Sequence, residues 1–276
     1  MNISKQIIVF LVTTILANQI QFNETFARES SKDSVKPSKK DAISIMQGIC
    51  GKNNINKYNP EACETCPSFT GSDSFGGVVL TSIVYGNFTK SSNNEALIDL
   101  EGCKPRADNS GGSALIRKNN QQWYLVEYKA GLRSEKCLKF KASNSRHQLV
   151  CEGSHIGQGY LNTWLDVVTF TSNKIVTSTL LTVLSNEASC TPPYYEVTIR
   201  DFLAQDFNKD GKNDLIINVS EARESKNIKR SQDNLCEPRL PKPKFYQLTF
   251  LFNGQSFRPT SETAKIKKRL ETWKNY

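Results

Sequence analysis

Four stretches of this chain alternate apolar side chains at period two: Tyr124-Val126-Tyr128, Leu165-Val167-Thr169, Tyr195-Val197-Ile199 and Tyr246-Leu248-Phe250-Phe252. Successive residues of a pleated strand point to opposite faces, so each stretch predicts a strand with one buried face. The strand pattern begins near Val78. Asn253-Gly254 follows the last run, and that dipeptide predicts a tight hairpin with positive φ at both central residues. The expected fold class is all-β, built of repeated antiparallel units, with a short helix at each end.

The strands recur in units, each a polar loop, a short apolar strand, a gap and an aromatic-bearing strand. Residues 86–95 lead to 96–100, with 123–128 following; 143–147 lead to 148–151, with 164–170 following; an acidic loop leads to 214–219, with 245–252 following. The loop-exit strands lie roughly fifty and then sixty-five residues apart, close to the length of one propeller blade. A partial β-propeller is the expected arrangement. A β-sandwich of similar hairpins is the alternative.

The chain opens with the pattern of an export signal over 1–27. Lys5 supplies the positive start, 7–17 an apolar run too short to span a bilayer, and Thr25-Phe26-Ala27 a cleavage site. No later stretch is apolar for long enough to cross a membrane. The expected location is therefore secreted or periplasmic. Eight cysteines follow the signal: Cys50, Cys63, Cys66, Cys103, Cys137, Cys151, Cys190 and Cys236. An even count in an exported chain favours disulfides. Cys137 with Cys151 is the best local pair, stapling neighbouring strands; the remaining connectivity is open. Cys63-Glu64-Thr65-Cys66 has redox spacing but no thioredoxin-like context, so structural disulfides are the stronger reading.

Residues 28–40 are Ser- and Lys-rich and read as a flexible leader; 41–77 read as a helix followed by a cysteine-bearing loop; 78–259 form the β-repeat domain. Ser38 with Asp41 resembles a helix cap, with Ile43, Met46 and Ile49 on the buried face. In the tail, 260–276, Ile266, Leu270 and Trp273 fall on one side of a basic helix. Docking on its own domain is the leading reading, with an anionic membrane as the alternative. The net charge of +9 favours acidic surfaces generally, and no nucleic-acid-binding motif accompanies it.

The sharpest ligand signal is Asp206-Phe207-Asn208-Lys209-Asp210-Gly211-Lys212-Asn213-Asp214, running directly into Leu215-Ile216-Ile217. Oxygens at alternate positions with Gly at the bend suit a hard cation. An EF-hand would need Glu at the twelfth position and an apolar residue at the eighth; this chain has Ile217 and Asn213. The β-branched run marks a loop that opens a strand. In this it resembles the calcium loop of FG-GAP repeats, the blades of integrin-α-like β-propellers and related secreted proteins. The resemblance implies Ca²⁺ held by the side chains of Asp206, Asn208, Asp210 and Asp214 and by the carbonyl of Lys212. The other two loops depart from it: the first offers Asn94, Glu95 and Asp99, and the second has no carboxylate. With few carboxylates and two lysines, binding is expected to be weak, on the order of 10⁻⁴–10⁻³ M, and structural in role.

Catalytic patterns are scarce. His147 and His155 sit in no metal-ligand motif, Gly112-Ser113-Ala114 lacks the second glycine of a nucleophile elbow, and Asp99 with Glu101 read as solvated strand carboxylates. The leading expectation is a secreted, calcium-stabilised module that binds a protein, a glycan or an anionic surface. A secreted hydrolase of polysaccharide or cell-wall material is the alternative, and it requires two carboxylates converging in a cleft.

Overall fold

The computed structural model describes residues 32–71, 76–89, 94–103, 111–225, 228 and 236–272. The expected export signal, residues 28–31 and Trp273 lie outside them. Twelve strands follow in chain order among the described residues: β1 Val78–Gly86, β2 Glu95–Gly102, β3 Gly112–Asn119, β4 Gln122–Ala130, β5 Lys136–Lys141, β6 His147–Gly157, β7 Tyr160–Thr171, β8 Lys174–Ser185, β9 Tyr195–Gln205, β10 Asp214–Arg223, β11 Lys244–Phe252 and β12 Phe257–Pro259. Apart from β4 and β5, strands adjacent in sequence pair antiparallel, in one sheet of four strands and one of eight. Within the larger sheet, β8 and β9 share only the pair Ser185–Glu196. The chain is therefore three successive four-stranded meanders: β1–β4, β5–β8 and β9–β12. The expected loop-exit strands are β2, β6 and β10, the second strand of each unit. All four predicted alternating runs lie in strands.

Each face of these units buries against something definite. Between units 1 and 2, Val84, Leu97 and Leu115 meet Leu149, Val168, Phe170 and Ile175. Between units 2 and 3, the opposite faces of the same middle strands give Phe140, Val150, Leu165 and Val167 to a core with Phe202, Leu215, Ile217 and Phe250. Strict alternation explains this: Leu149 and Cys151 face one neighbour and Val150 the other. The outer face of unit 1 is covered by helix α1, Lys39–Cys50. Its cap is the expected one, with the Ser38 hydroxyl accepting the Asp41 N–H at 3.2 Å. The buried face differs, being Ala42, Ile45, Met46 and Ile49, while Ile43 is half-buried. A stripe at 42, 45/46 and 49 follows the helical period more closely than one through 43. At the other end α2, Ser261–Leu270, docks through Leu270 and Ile266 on the core shared by units 2 and 3.

Six turns lie at one end of the meanders. The β11–β12 turn differs from expectation: Gly254 has φ 93°, but Asn253 is not among the positive-φ residues. The Asn253 side chain instead accepts the N–H groups of Gln255 and Ser256, both at 2.9 Å, and opens a four-residue loop. Glycine suits position 254 because its φ of 93° is one that residues with a Cβ rarely adopt. Tight two-residue turns occur instead at Asn120-Gln121 and Gln158-Gly159, all with positive φ.

Disulfides hold the chain elsewhere. Cys137–Cys151 joins directly paired residues of β5 and β6, as expected. Cys63 and Cys66 do not pair with each other; they bond Cys50 and Cys103. Cys190–Cys236 ties the β8–β9 connection to the β10–β11 connection. Four pairs that consume all eight cysteines fit a chain folded in an oxidising compartment. No described helix is long and apolar enough to cross a membrane.

Residues 32–35, within the stretch read as leader, are bonded to all three units. Val35 bridges Ile83 of β1, and the Asp33 N–H donates to the Cys137 carbonyl of β5. The Lys32 ammonium pairs with Asp201 of β9 at 3.0 Å. Ser34 holds the middle of this strap, accepting the Cys137 N–H at 2.8 Å and donating to the Ser134 carbonyl at 2.9 Å. Two hydrogen bonds at about 1 kcal/mol each predict that Ser34→Ala lowers unfolding stability by about 1–2 kcal/mol, read as a drop in the urea midpoint at unchanged m-value.

Candidate metal site and its counterpart turns

The acidic loop joins β9 to β10, and its polar side chains fold it. Asp206 accepts the N–H of Asp210 on Oδ1 at 3.0 Å and that of Gly211 on Oδ2 at 2.9 Å. Asn208 Oδ1 accepts the same Asp210 N–H at 3.0 Å, and Asp210 Oδ1 accepts the Lys212 N–H at 2.9 Å. Lys209 at φ 60° and Gly211 at φ 84° make the bend. Asp206, Asn208 and Asp210 are thus drawn around one exposed tip, with the Lys212 ammonium 3.3 Å from Asp210 Oδ2. The backbone N–H and ammonium of Lys212 hold the Asp210 carboxyl below its ordinary range.

Asp214 is placed differently from the other four. It is fully buried at the first position of β10. Its Oδ2 accepts the N–H groups of Phe207 and Asn208 at 3.1 and 3.3 Å, and its Oδ1 accepts that of Phe252 in β11 at 2.8 Å. These bonds pin the start of the loop to the strand edge. Among the described residues, no group of three or more His, Cys, Asp or Glu side chains converges as a metal cluster. Asp206, Asn208 and Asp210 thus stand together at the tip of the loop, and Asp214 lies inward of them at the strand edge.

The equivalent turn of unit 1 is closed by an internal ion pair. Glu95, the first residue of β2, accepts the N–H groups of Phe88 and Thr89 on Oε2 at 2.8 and 2.7 Å, just as Asp214 accepts those of Phe207 and Asn208. Its Oε1 accepts the Thr89 hydroxyl at 2.6 Å and Arg117 Nε and Nη2 at 3.1 and 2.8 Å. In unit 2 the first residue of β6 is His147, whose Nδ1 accepts the Asn87 N–H at 2.9 Å and so secures the neighbouring turn of unit 1. Burial, with Lys139 nearby, holds this imidazole below its ordinary pKa and keeps the accepting neutral form. Glu95 was legible as a carboxylate, but not its role, because the partner that explains it lies on the neighbouring strand β3, 22 residues away in sequence.

Asp99 corrects a sequence expectation. It is buried, not solvated, and binds Arg133 Nε and Nη2 at 3.1 and 2.8 Å, the Ser134 N–H at 2.7 Å and the Thr81 hydroxyl at 2.7 Å. Ser113 is also fully buried, bonded to Ser134 and the Leu132 carbonyl, which removes it from nucleophile geometry. No protein-family model, curated protein or solved structure matches the chain. The likeness to FG-GAP repeats rests on the loop residues themselves.

Proposed function

We propose that this chain is an extracellular, calcium-braced β-repeat module whose task is binding. The observation that carries the calcium part is the turn comparison. Units 1 and 3 both gather their first-turn N–H groups on the leading carboxylate of the second strand. Unit 1 adds the Arg117 guanidinium, whereas unit 3 adds an exposed tip of hard oxygens at Asp206, Asn208 and Asp210. A bound Ca²⁺ would supply charge neutralisation there and stiffen the β9–β10 turn. Secretion accords with the four disulfides and with the signal-like opening of the sequence.

The binding role is favoured over the hydrolase because neither described cleft brings two carboxylates together. One is lined by Thr89, Arg117, Arg146, Ser172 and Asn173, and the other contributes Glu271 alone. That Glu271 is already paired with the Lys267 ammonium at 2.6 Å.

At calcium about twentyfold above a Kd of about 10⁻⁴ M, binding to the folded state adds about 1.8 kcal/mol. For a domain of this size that raises Tm by about 4–7 °C over the chelated protein. The Asp206→Ala/Asp210→Ala variant should show no calcium-dependent shift, whatever its starting Tm. Coincident melts of the unaltered protein in calcium and chelator would remove the calcium part of the proposal.

A further inference from the structure

We propose that the cleft between units 1 and 2 binds an acidic monosaccharide unit through Arg146, an inference that rests on the binding-module reading and names its ligand class. The cleft has a volume of about 360 Å³, at the small end of ligand pockets and sufficient for one sugar ring. Its two guanidinium groups are not equivalent. Arg117 is committed to Glu95, and Thr89 is likewise engaged, donating to Glu95 and accepting from Arg117 Nη2 at 2.8 Å. Arg146 has no carboxylate partner among the described residues.

The backbone of Arg146 is nevertheless fixed. Its N–H donates to Asn144 Oδ1 at 3.1 Å and its carbonyl accepts the Ala142 N–H at 2.8 Å, across Ser145 at φ 62°. The lining therefore carries one uncompensated positive charge on an anchored turn, which suits one anionic group. A planar carboxylate matches the guanidinium fork in a bidentate pair. The remaining lining groups, Ser172 and Asn173 of the β7–β8 turn, offer a hydroxyl and an amide to ring hydroxyls. Among the described residues, every side chain that lines the cleft carries a polar group, which favours a polyhydroxylated ligand over a nucleobase or an acyl chain.

The test is an NMR titration of the disulfide-intact protein with glucuronate, glucose, acetate and glucose 6-phosphate, each in calcium and in chelator. Glucuronate is expected to bind with a Kd of about 1 mM, weakening with added salt and shifting the Arg146 and Asn173 resonances. Glucose should not bind, and acetate should bind at least roughly tenfold more weakly, since it lacks the ring contacts. Arg146→Ala should weaken glucuronate roughly tenfold or more, with Arg146→Lys intermediate because the charge survives without the fork. A melt of each variant confirms that it folds. Equal glucuronate affinity in Arg146→Ala, no shift at this cleft, or tighter binding of glucose 6-phosphate than of glucuronate would each overturn the assignment. The result is expected to be the same in calcium and in chelator, so failure of the calcium reading leaves this inference standing, and its own failure leaves the calcium reading untouched.

Discussion

Replacing Asp214 with alanine is expected to lower unfolding stability by about 3–5 kcal/mol, because three backbone N–H groups lose their acceptor at a buried position. An unmet buried donor costs about 1–3 kcal/mol, and water entering at the loop side offsets part of the sum. Asp214→Asn keeps one carbonyl oxygen and should cost about half as much. The loss should appear equally in chelator, since these bonds exist without an ion. Urea unfolding at neutral pH measures it. A cost below about 1 kcal/mol would mean that the loop does not depend on Asp214.

Arg117→Ala should be nearly as damaging, at about 3 kcal/mol or more near neutral pH, because it strands the Glu95 carboxylate with its side chain fully buried. The pH dependence gives this prediction a second handle. Burial alone pushes the Glu95 carboxyl up, but the Thr89 hydroxyl and N–H, Arg117 and the Phe88 N–H outweigh it and hold the group below its ordinary range. A carboxylate held low contributes stability that is fully present above its unfolded pKa, about 4.3, and is lost as pH falls through the folded value. The penalty of Arg117→Ala should accordingly be largest near pH 7 and shrink under acid, where Glu95 is protonated in both proteins. A penalty that stays constant down to acid pH would show that the lost contact is packing and not charge.

Much of the architecture could be read from local pattern. Period-two runs located strands because alternation is imposed by the pleat, and the Ser38 cap was visible because its partner is three residues away. Cys137 with Cys151 was legible for a similar reason, as a short polar turn separates two strand-like stretches. What failed were features set by partners distant in sequence or by turn geometry. Asp99 looked solvated because Arg133, which neutralises it, comes from the connection between units 1 and 2. Residues 32–35 looked flexible because a strap that crosses other units' strand edges needs no periodicity of its own. Asn253 was assigned a positive φ from its dipeptide, yet its side chain found two backbone donors in a longer loop.

The acidic loop shows the same division. Residue spacing showed that Asp206, Asn208 and Asp210 share one loop, and the structure gathers them at its tip. Spacing could not show that Asp214, at the first position of a strand, turns inward to hold three backbone N–H groups. The Glu95–Arg117 pair, which closes the corresponding turn of unit 1, required the strand register that sets Glu95 opposite Arg117.

The most direct test of a calcium-braced third unit is amide hydrogen exchange of the unaltered protein in saturating calcium and in chelator, read residue by residue. Calcium is expected to slow exchange at Asp210, Gly211 and Lys212, whose N–H groups are held by the proposed ligands, and to leave Phe88 and Thr89 of the unit 1 turn unchanged. Identical protection of the 206–214 amides in the two conditions would contradict it.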